Sequence, residues 1–272
     1  MSTVSSSGSP EEPPMSRAGT VMLVTTKFVY IHMPKTGGTF VRQVLNRLFR
    51  QDNGGIDELL LEGQKHARFS DIPNSHREKS VALSVRNPYD HYVSFYEYGW
   101  WKSYPDDTFD ERKMRRLFPC YPEISFAQYL AAVHNWDLLN PRYVKPEIAS
   151  LFVKSNLGPL TLDYIRFMFR DPYKAIRNLD YYTRIATAIE QLPLFKPLRT
   201  EHLNVDLFEF LIDMGFCRDG IEFILDLGKI LPNGSKRCPT KAWQSYYTPE
   251  LRHLVREKER FVFDLFFPYY DA

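Results

Sequence analysis

Cysteine is scarce: there are three in 272 residues, Cys120, Cys217 and Cys238, with no Cys-x-x-Cys and no Cys/His spacing of a zinc site. That excludes a disulfide framework and a structural zinc module, and it fits a reducing compartment such as the cytoplasm. An excess of one charge is missing too. Lysine and arginine number 35 against 33 acidic residues, a net charge of +2. No global field draws in nucleic acid, so any anion site has to be built locally. No apolar run approaches the length needed to span a membrane. The stretch from Met1 to Thr20 lacks the basic segment and apolar core of a secretory signal. The Asn233-Gly234-Ser235 match would matter only in a secreted protein. Rich in Ser, Pro, Glu and Gly, residues 1–24 read as a disordered tail, which leaves 25–272 as one domain.

What is present is ordinary for a globular chain, with 44% hydrophobic and 25% charged residues, except that aromatics reach 15%. Lys27 to Met33 (KFVYIHM) is a β-branched and aromatic run of the kind buried on both faces of a parallel sheet. Val41, Val44, Leu45 and Leu48 then fall at the i, i+3, i+4, i+7 spacing of one helix face. Ser80 to Val85 (SVALSV) predicts a second buried strand, and Tyr89 to Trp100 a helix after it. Gln51 to Ser80 reads as polar loop, and 102–122 as a charged, Pro-punctuated excursion. Further helices are predicted over Phe126 to His134, Leu160 to Phe169 and Tyr173 to Gln191, with a short strand at Phe195 to Thr200. Leu207, Phe210, Leu211 and Met214 form another helical face ended by Gly215. Thr248 and Pro249 open a last helix running to about Phe266. Alternating strands and helices predict one α/β domain around a parallel sheet.

The segment Pro34-Lys35-Thr36-Gly37-Gly38-Thr39 joins the first strand to the first helix. Glycines there let the backbone curl so that its N–H groups converge on an anion, and the helix N-terminus adds partial positive charge. Lys35 brings a full charge, and Thr36 and Thr39 bring hydroxyls. A Gly-rich turn with an exposed lysine has the same appearance; the strand–loop–helix setting favours the phosphate reading. The loop is not a Walker A motif, in which lysine follows the last glycine. Here Lys35 precedes both.

Met33 to Thr39 resembles the 5′-phosphosulfate loop of the sulfotransferases that use 3′-phosphoadenosine 5′-phosphosulfate (PAPS). Val85-Arg86-Asn87-Pro88-Tyr89-Asp90-His91-Tyr92-Val93-Ser94-Phe95-Tyr96 is similar to the 3′-phosphate motif of the same family, in which an Arg ends a strand and a Ser follows on the next helix. Leu198-Arg199-Thr200-Glu201-His202-Leu203 also fits, and Tyr246-Tyr247-Thr248-Pro249-Glu250-Leu251 resembles the carbohydrate-type, 2-O-sulfotransferase-like branch. The likeness covers most of residues 27–270. It departs from the family in having no Golgi-type membrane anchor and no clean Arg-Lys-Gly motif near the C-terminus. It implies a P-loop-like three-layer fold, with a central parallel sheet flanked by helices. It also implies a soluble, PAPS-dependent enzyme with no metal.

Sulfuryl transfer needs two oxygens in line, charge neutralised on the leaving phosphate, and a base for the acceptor hydroxyl. The resemblance assigns Lys35 to the leaving oxygen and Thr36, Gly37, Gly38 and Thr39 to the 5′ phosphate, largely through backbone N–H groups. Arg86 and Ser94 take the 3′-phosphate, where the planar guanidinium offers a bidentate grip. Phe40 stands where related cytosolic enzymes stack an aromatic on adenine, although a first-turn helix residue of this type also suits the core. His66 lies between the two phosphate motifs, as the catalytic His does in the 2-O-sulfotransferases, and is the expected base. Lys236 and Arg237 form a basic turn that closes the 3′-phosphate site or is simply solvated. His32 ends the first strand beside the loop, where it lines the site or, the safer reading, packs; His76, His91, His134, His202 and His253 read as structural. Tyr92, Phe95, Tyr96, Trp100 and Trp101 are core or an acceptor-stacking wall. Glu111 to Arg116 is a solvated helix face or a grip on an acidic glycan. The expected acceptor is a hydroxyl on a carbohydrate or small metabolite. The rival readings are an ATP-dependent small-molecule or nucleoside kinase and a non-catalytic nucleotide-binding module.

Overall fold

In the computed structural model the described residues are 22–49, 67–192, 194–228 and 242–268, with the backbone of 59–62. Strands β1 (Leu23–Thr25), β2 (Phe28–Ile31), β3 (Leu59–Glu62), β4 (Ser80–Val85) and β5 (Phe195–Arg199) form one sheet in the order β3-β1-β2-β4-β5. β2, β4 and β5 run parallel, with Val29 opposite Val81 and Leu83 opposite Pro197. β1 pairs antiparallel with both β2 and β3. The sheet is therefore parallel where helices cross over and antiparallel at one margin. Leu23 and Val24 are buried strand residues, so ordered structure reaches back into the last residues of the stretch read as tail. β3 falls inside the stretch read as loop.

Burial explains the two central strands. Every residue of β2 and all but Ser80 of β4 are buried, the pattern of strands covered on both faces. The two polar groups in that layer satisfy each other: the Tyr30 hydroxyl and Ser84 Oγ lie 2.5 Å apart. β5 tolerates Pro197 because it is an edge strand, where a missing N–H costs no ladder bond.

Helix α1 (Gly38–Phe49) packs Val41, Val44, Leu45 and Leu48 onto the sheet, each at most 4% exposed. Burying each such side chain contributes about 1.5–3 kcal/mol. Helix α2 (Pro88–Tyr98) follows β4; Asn87 caps it by accepting the Tyr89 N–H, and Gly99 ends it at φ 69°. The charged excursion is ordered into α3 (Trp100–Ser103), α4 (Pro105–Thr108) and α5 (Glu111–Leu117), held down by fully buried Phe109 and Met114. Helices α6 (Phe126–Val133), α7 (Pro146–Lys154) and α8 (Pro159–Met168) follow. The region predicted as one helix from Tyr173 is split into α9 (Pro172–Arg177), α10 (Leu179–Tyr182) and α11 (Ile185–Gln191). After β5 come α12 (Leu203–Asp213) and α13 (Arg218–Ile221). The last predicted helix is broken at Glu259 into α14 (Pro249–Lys258) and α15 (Arg260–Phe266). Among the described residues no helix is long and apolar enough to cross a membrane.

Because β2, β4 and β5 are parallel, their carboxyl ends meet at one edge. The loop after Ile31, the Arg86-Asn87 turn and the Thr200–His202 turn all emerge there. In open α/β sheets that edge is where ligands bind.

Candidate functional site

The loop between β2 and α1 is shaped by two left-handed residues, Lys35 at φ 65° and Gly37 at φ 85°. Left-handed residues alternating with right-handed ones turn successive N–H groups toward one side. Gly37 is demanded by torsion and Gly38 by space. A Cβ on Gly38 would lie 1.9 Å from His32 Cδ2, and one on Gly37 would lie 2.6 Å from Leu203 Cδ2. His32 thus packs against the glycine that opens α1. The Thr36 hydroxyl donates to the Met33 carbonyl at 2.7 Å and its side chain is buried. Its hydroxyl therefore fixes the loop, and only its backbone remains for an anion. Thr39 lies in the first turn of α1, whose N–H groups have no partner within the helix.

Thr200 closes the loop from the neighbouring strand. Its hydroxyl lies 3.0 Å from the Thr36 carbonyl oxygen and 2.8 Å from that of Val85, so one donor joins the phosphate loop to the end of β4. Beside it, Glu201 Oε1 accepts the Asn87 N–H at 2.9 Å. Burial raises the carboxyl pKa of Glu201.

Arg86 is oriented on every side. Its Nε and Nη2 donate to Asp90 Oδ2 at 2.9 and 2.6 Å, and its Nη1 donates to the Lys35 carbonyl at 2.8 Å. The Arg86 N–H donates to the Tyr164 hydroxyl at 3.1 Å. The guanidinium thus bridges the Arg86 turn and the Lys35 loop, and the two predicted phosphate sites share a border. Asp90, Ser94 and Tyr98 follow one another at i, i+4, i+8 on a single face of α2. This puts Ser94 one turn beyond the Arg86 partner.

Lys35 Nζ sits 3.7 Å from the centre of the Tyr98 ring. Burial first, and the nearby Arg86 charge second, lower its pKa to about 8. His91 is the loop's other support: its Nε2 meets the Pro34 carbonyl at 2.8 Å, and since a carbonyl only accepts, that nitrogen carries the hydrogen. The ring is fully buried and stacks on Phe95, and burial, reinforced by Arg86, lowers its pKa to about 3. His91 is neutral and structural, as its sequence context implied.

Lys35, Thr36, Gly37, Gly38, Thr39, Arg86 and Ser94 therefore lie on the loop and helices that meet at one edge of the sheet. Phe40 is a correction: at 4% exposure its ring belongs to the core, leaving no open face for adenine. His66, Lys236 and Arg237 lie outside the described residues. Within the expected aromatic wall, Tyr92 and Trp101 are core, whereas Trp100 is 39% exposed. The exposed stack is instead Tyr98, Trp100 and Tyr104, with ring centres 6.4 and 4.1 Å apart, starting at the ring that Lys35 covers. Tyr98, Tyr104 and Glu201 lie outside the expected set of site residues. Spacing from Ser94 along α2 was the signal for Tyr98; the others depend on long-range packing. In the basic run, Arg115 pairs with Glu111 at 2.7 Å and Met114 is buried, which makes it a solvated helix face. Among the described residues no cluster of His, Cys, Asp and Glu is arranged to hold a metal ion.

No family model matches the chain, and no curated protein matches it. Among solved structures it is similar to a mouse sulfotransferase, SULT7A1, complexed with PAP, at 13% identity and a TM-score of 0.39, over 85% of this chain and 83% of that one.

Proposed function

We propose that the chain transfers a sulfuryl group from PAPS to a hydroxyl acceptor, such as one on a carbohydrate or small metabolite. One observation carries this reading. Two cationic groups, Lys35 and Arg86, stand at the carboxyl ends of adjacent parallel strands and are joined by the 2.8 Å bond from Arg86 Nη1 to the Lys35 carbonyl. A nucleotide with charge at both its 3′ and 5′ positions suits such a pair, whereas a 5′-triphosphate concentrates its charge at one end. Gly37 and Gly38 let Leu203 and His32 close against one side of the loop, and the loop's backbone N–H groups with the N-terminus of α1 suit phosphate oxygens.

The bound co-substrate supplies the sulfuryl group: the acceptor oxygen bonds to sulfur as the bond from sulfur to the phosphate oxygen breaks, and the acceptor proton passes to a base. Lys35 meets charge that develops on the leaving oxygen, an interaction worth most in the transition state. Its ammonium must first leave the Tyr98 ring. Arg86 and Ser94 hold the 3′ end, and Asp90 holds the planar guanidinium in place. His66 as the base, and Lys236 and Arg237 as a closing turn, rest on the sequence resemblance. The exposed Tyr98–Trp100–Tyr104 stack favours an acceptor with a flat ring face, as a sugar has. Cys120 and Cys217, free and exposed, suit a reducing compartment such as the cytoplasm.

Calorimetric titration of 3′,5′-adenosine bisphosphate (PAP), AMP and ATP tests the reading. Hydrogen bonds to charged groups contribute about 1.5–3 kcal/mol each. PAP should therefore bind at least about tenfold more tightly than AMP, and Arg86→Ala should remove most of that difference. Equal affinity for AMP and PAP refutes the proposal, and tighter ATP binding favours a kinase. Release of PAP from PAPS in the presence of a hydroxyl acceptor would establish turnover.

A further inference from the structure

Away from the phosphate loop, the chain buries a complete carboxylate. Glu259 is 0% exposed. Burying a charge is costly unless it is paired and hydrogen-bonded, and Glu259 meets that condition. Its Oε2 accepts the Thr161 N–H at 2.7 Å and the Thr161 hydroxyl at 2.8 Å, and its Oε1 accepts the Leu160 N–H at 3.3 Å. The Tyr92 hydroxyl also donates to Oε1, and His134 Nε2 lies 3.6 Å from it.

These donors define what the carboxylate does. Leu160 and Thr161 lie in the first turn of α8, whose own N-cap, Gly158, offers no side chain. Glu259 is the cap of that helix, supplied from a distant part of the chain. The carboxylate also faces the positive end of the α8 dipole. Gly158 has to be glycine for the same reason, because a Cβ there would lie 1.9 Å from Glu259 Oε1. The flanking residues clamp the connection between α7 and α8: Lys258 Nζ donates to Asn156 Oδ1 at 2.6 Å, and Arg260 donates to the Ser155 and Asn156 carbonyls at 2.7 Å.

The helix that Glu259 caps reaches the site. Tyr164, one turn further along α8, accepts the Arg86 N–H and lies 3.3 Å from the Arg86 carbonyl. Tyr92 belongs to α2, the helix that carries Asp90 and Ser94. One buried carboxylate therefore ties together the two helices that hold Arg86, by its backbone and by its side chain.

We propose that Glu259 is a positioning residue for the 3′-phosphate site: by capping α8 and binding Tyr92, it fixes Tyr164 and so the register of Arg86 against the phosphate loop. This inference rests on the proposed function, because it takes Arg86 as the 3′-phosphate ligand. Glu259 touches neither nucleotide nor acceptor; it acts through Tyr164.

The test is calorimetry of PAP and AMP with the full chain as wild type, Glu259→Gln, Tyr164→Phe and the double variant. Glu259→Gln keeps the shape and removes the charge. Coupling through packed elements is typically worth about two- to thirtyfold, so the PAP-over-AMP preference should fall by that much while AMP affinity stays unchanged. In the Tyr164→Phe background the second substitution should add little, a non-additivity that simple destabilisation does not produce. If Glu259→Gln does not fold, Thr161→Val, which deletes a single donor, carries the same expectation. An unchanged preference in a folded variant overturns the inference and leaves the proposed function standing. No preference in the wild type overturns the proposed function itself.

Discussion

Raising the pH above 8 should weaken nucleotide binding, and the size of the effect follows from Lys35. Its pKa lies at about 8 rather than the ordinary 10.5, because the ammonium is partly desolvated and faces Arg86. A bound phosphate reverses this. Two unit charges about 4 Å apart at an effective dielectric of about 20 attract by about 4 kcal/mol, or roughly three pKa units. The bound lysine therefore stays protonated through pH 9, while the free lysine does not. The free site is about nine-tenths protonated at pH 7 and about one-eleventh protonated at pH 9. The sign is fixed by this difference: the complex takes up a proton above pH 8, so affinity falls as pH rises. The dissociation constant of PAP should increase about tenfold between pH 7 and pH 9, since ten to one is the ratio of protonated fractions. The ligand does not contribute, because its phosphates ionise near pH 6. Calorimetry in buffers of different ionisation enthalpy would count the proton directly. Lys35→Arg is the control, because arginine stays charged throughout; its curve should be flat. A flat wild-type curve, or a tenfold slope that survives in Lys35→Arg, would refute the assignment of this proton to Lys35.

Two other outcomes are expected. Gly38→Ala should lower both melting temperature and PAP affinity, since the new methyl would stand 1.9 Å from His32 Cδ2 and must displace the ring or the loop; unchanged thermal unfolding and binding would show that the cradle is not tight. Trp100→Ala removes the middle ring of the exposed stack, and aromatic contacts are worth about 0.5–1.5 kcal/mol. It should raise the acceptor KM about two- to tenfold at constant PAP affinity, and equal KM values in a steady-state assay would move the acceptor elsewhere.

Residues near one another in sequence decided the elements and the phosphate loop. KFVYIHM and SVALSV are near-continuous apolar runs, and a strand buried on both faces hides Phe28 to Ile31 in the one and Val81 to Val85 in the other. Gly37 and Gly38 between strand and helix announce a backbone that a side chain would obstruct, and Lys35 and Arg86 stand out as charges at strand ends. The fold class was legible for the same reason, because strand–helix alternation is a local pattern.

Tertiary structure alone decided the rest, because each outcome depends on atoms brought from far along the chain. Leu23 and Val24 are too short a run to declare a strand; they become one only because β2 and β3 offer edges to pair with. Phe40 has the same sequence context whether it faces a nucleotide or the core, and the sheet beneath α1 settles it inward. Thr36 could offer its hydroxyl to an anion until the Met33 carbonyl takes it. Thr200 reaches the phosphate loop, and Glu201 the Asn87 turn, only because β5 lies parallel to β4. The last helix has unbroken helical periodicity from Pro249 onward, yet it ends at Lys258. The Glu259 carboxylate is needed at the start of α8, and the chain breaks there to deliver it. A buried charge must find its donors wherever the fold places them, and local pattern carries no record of that place.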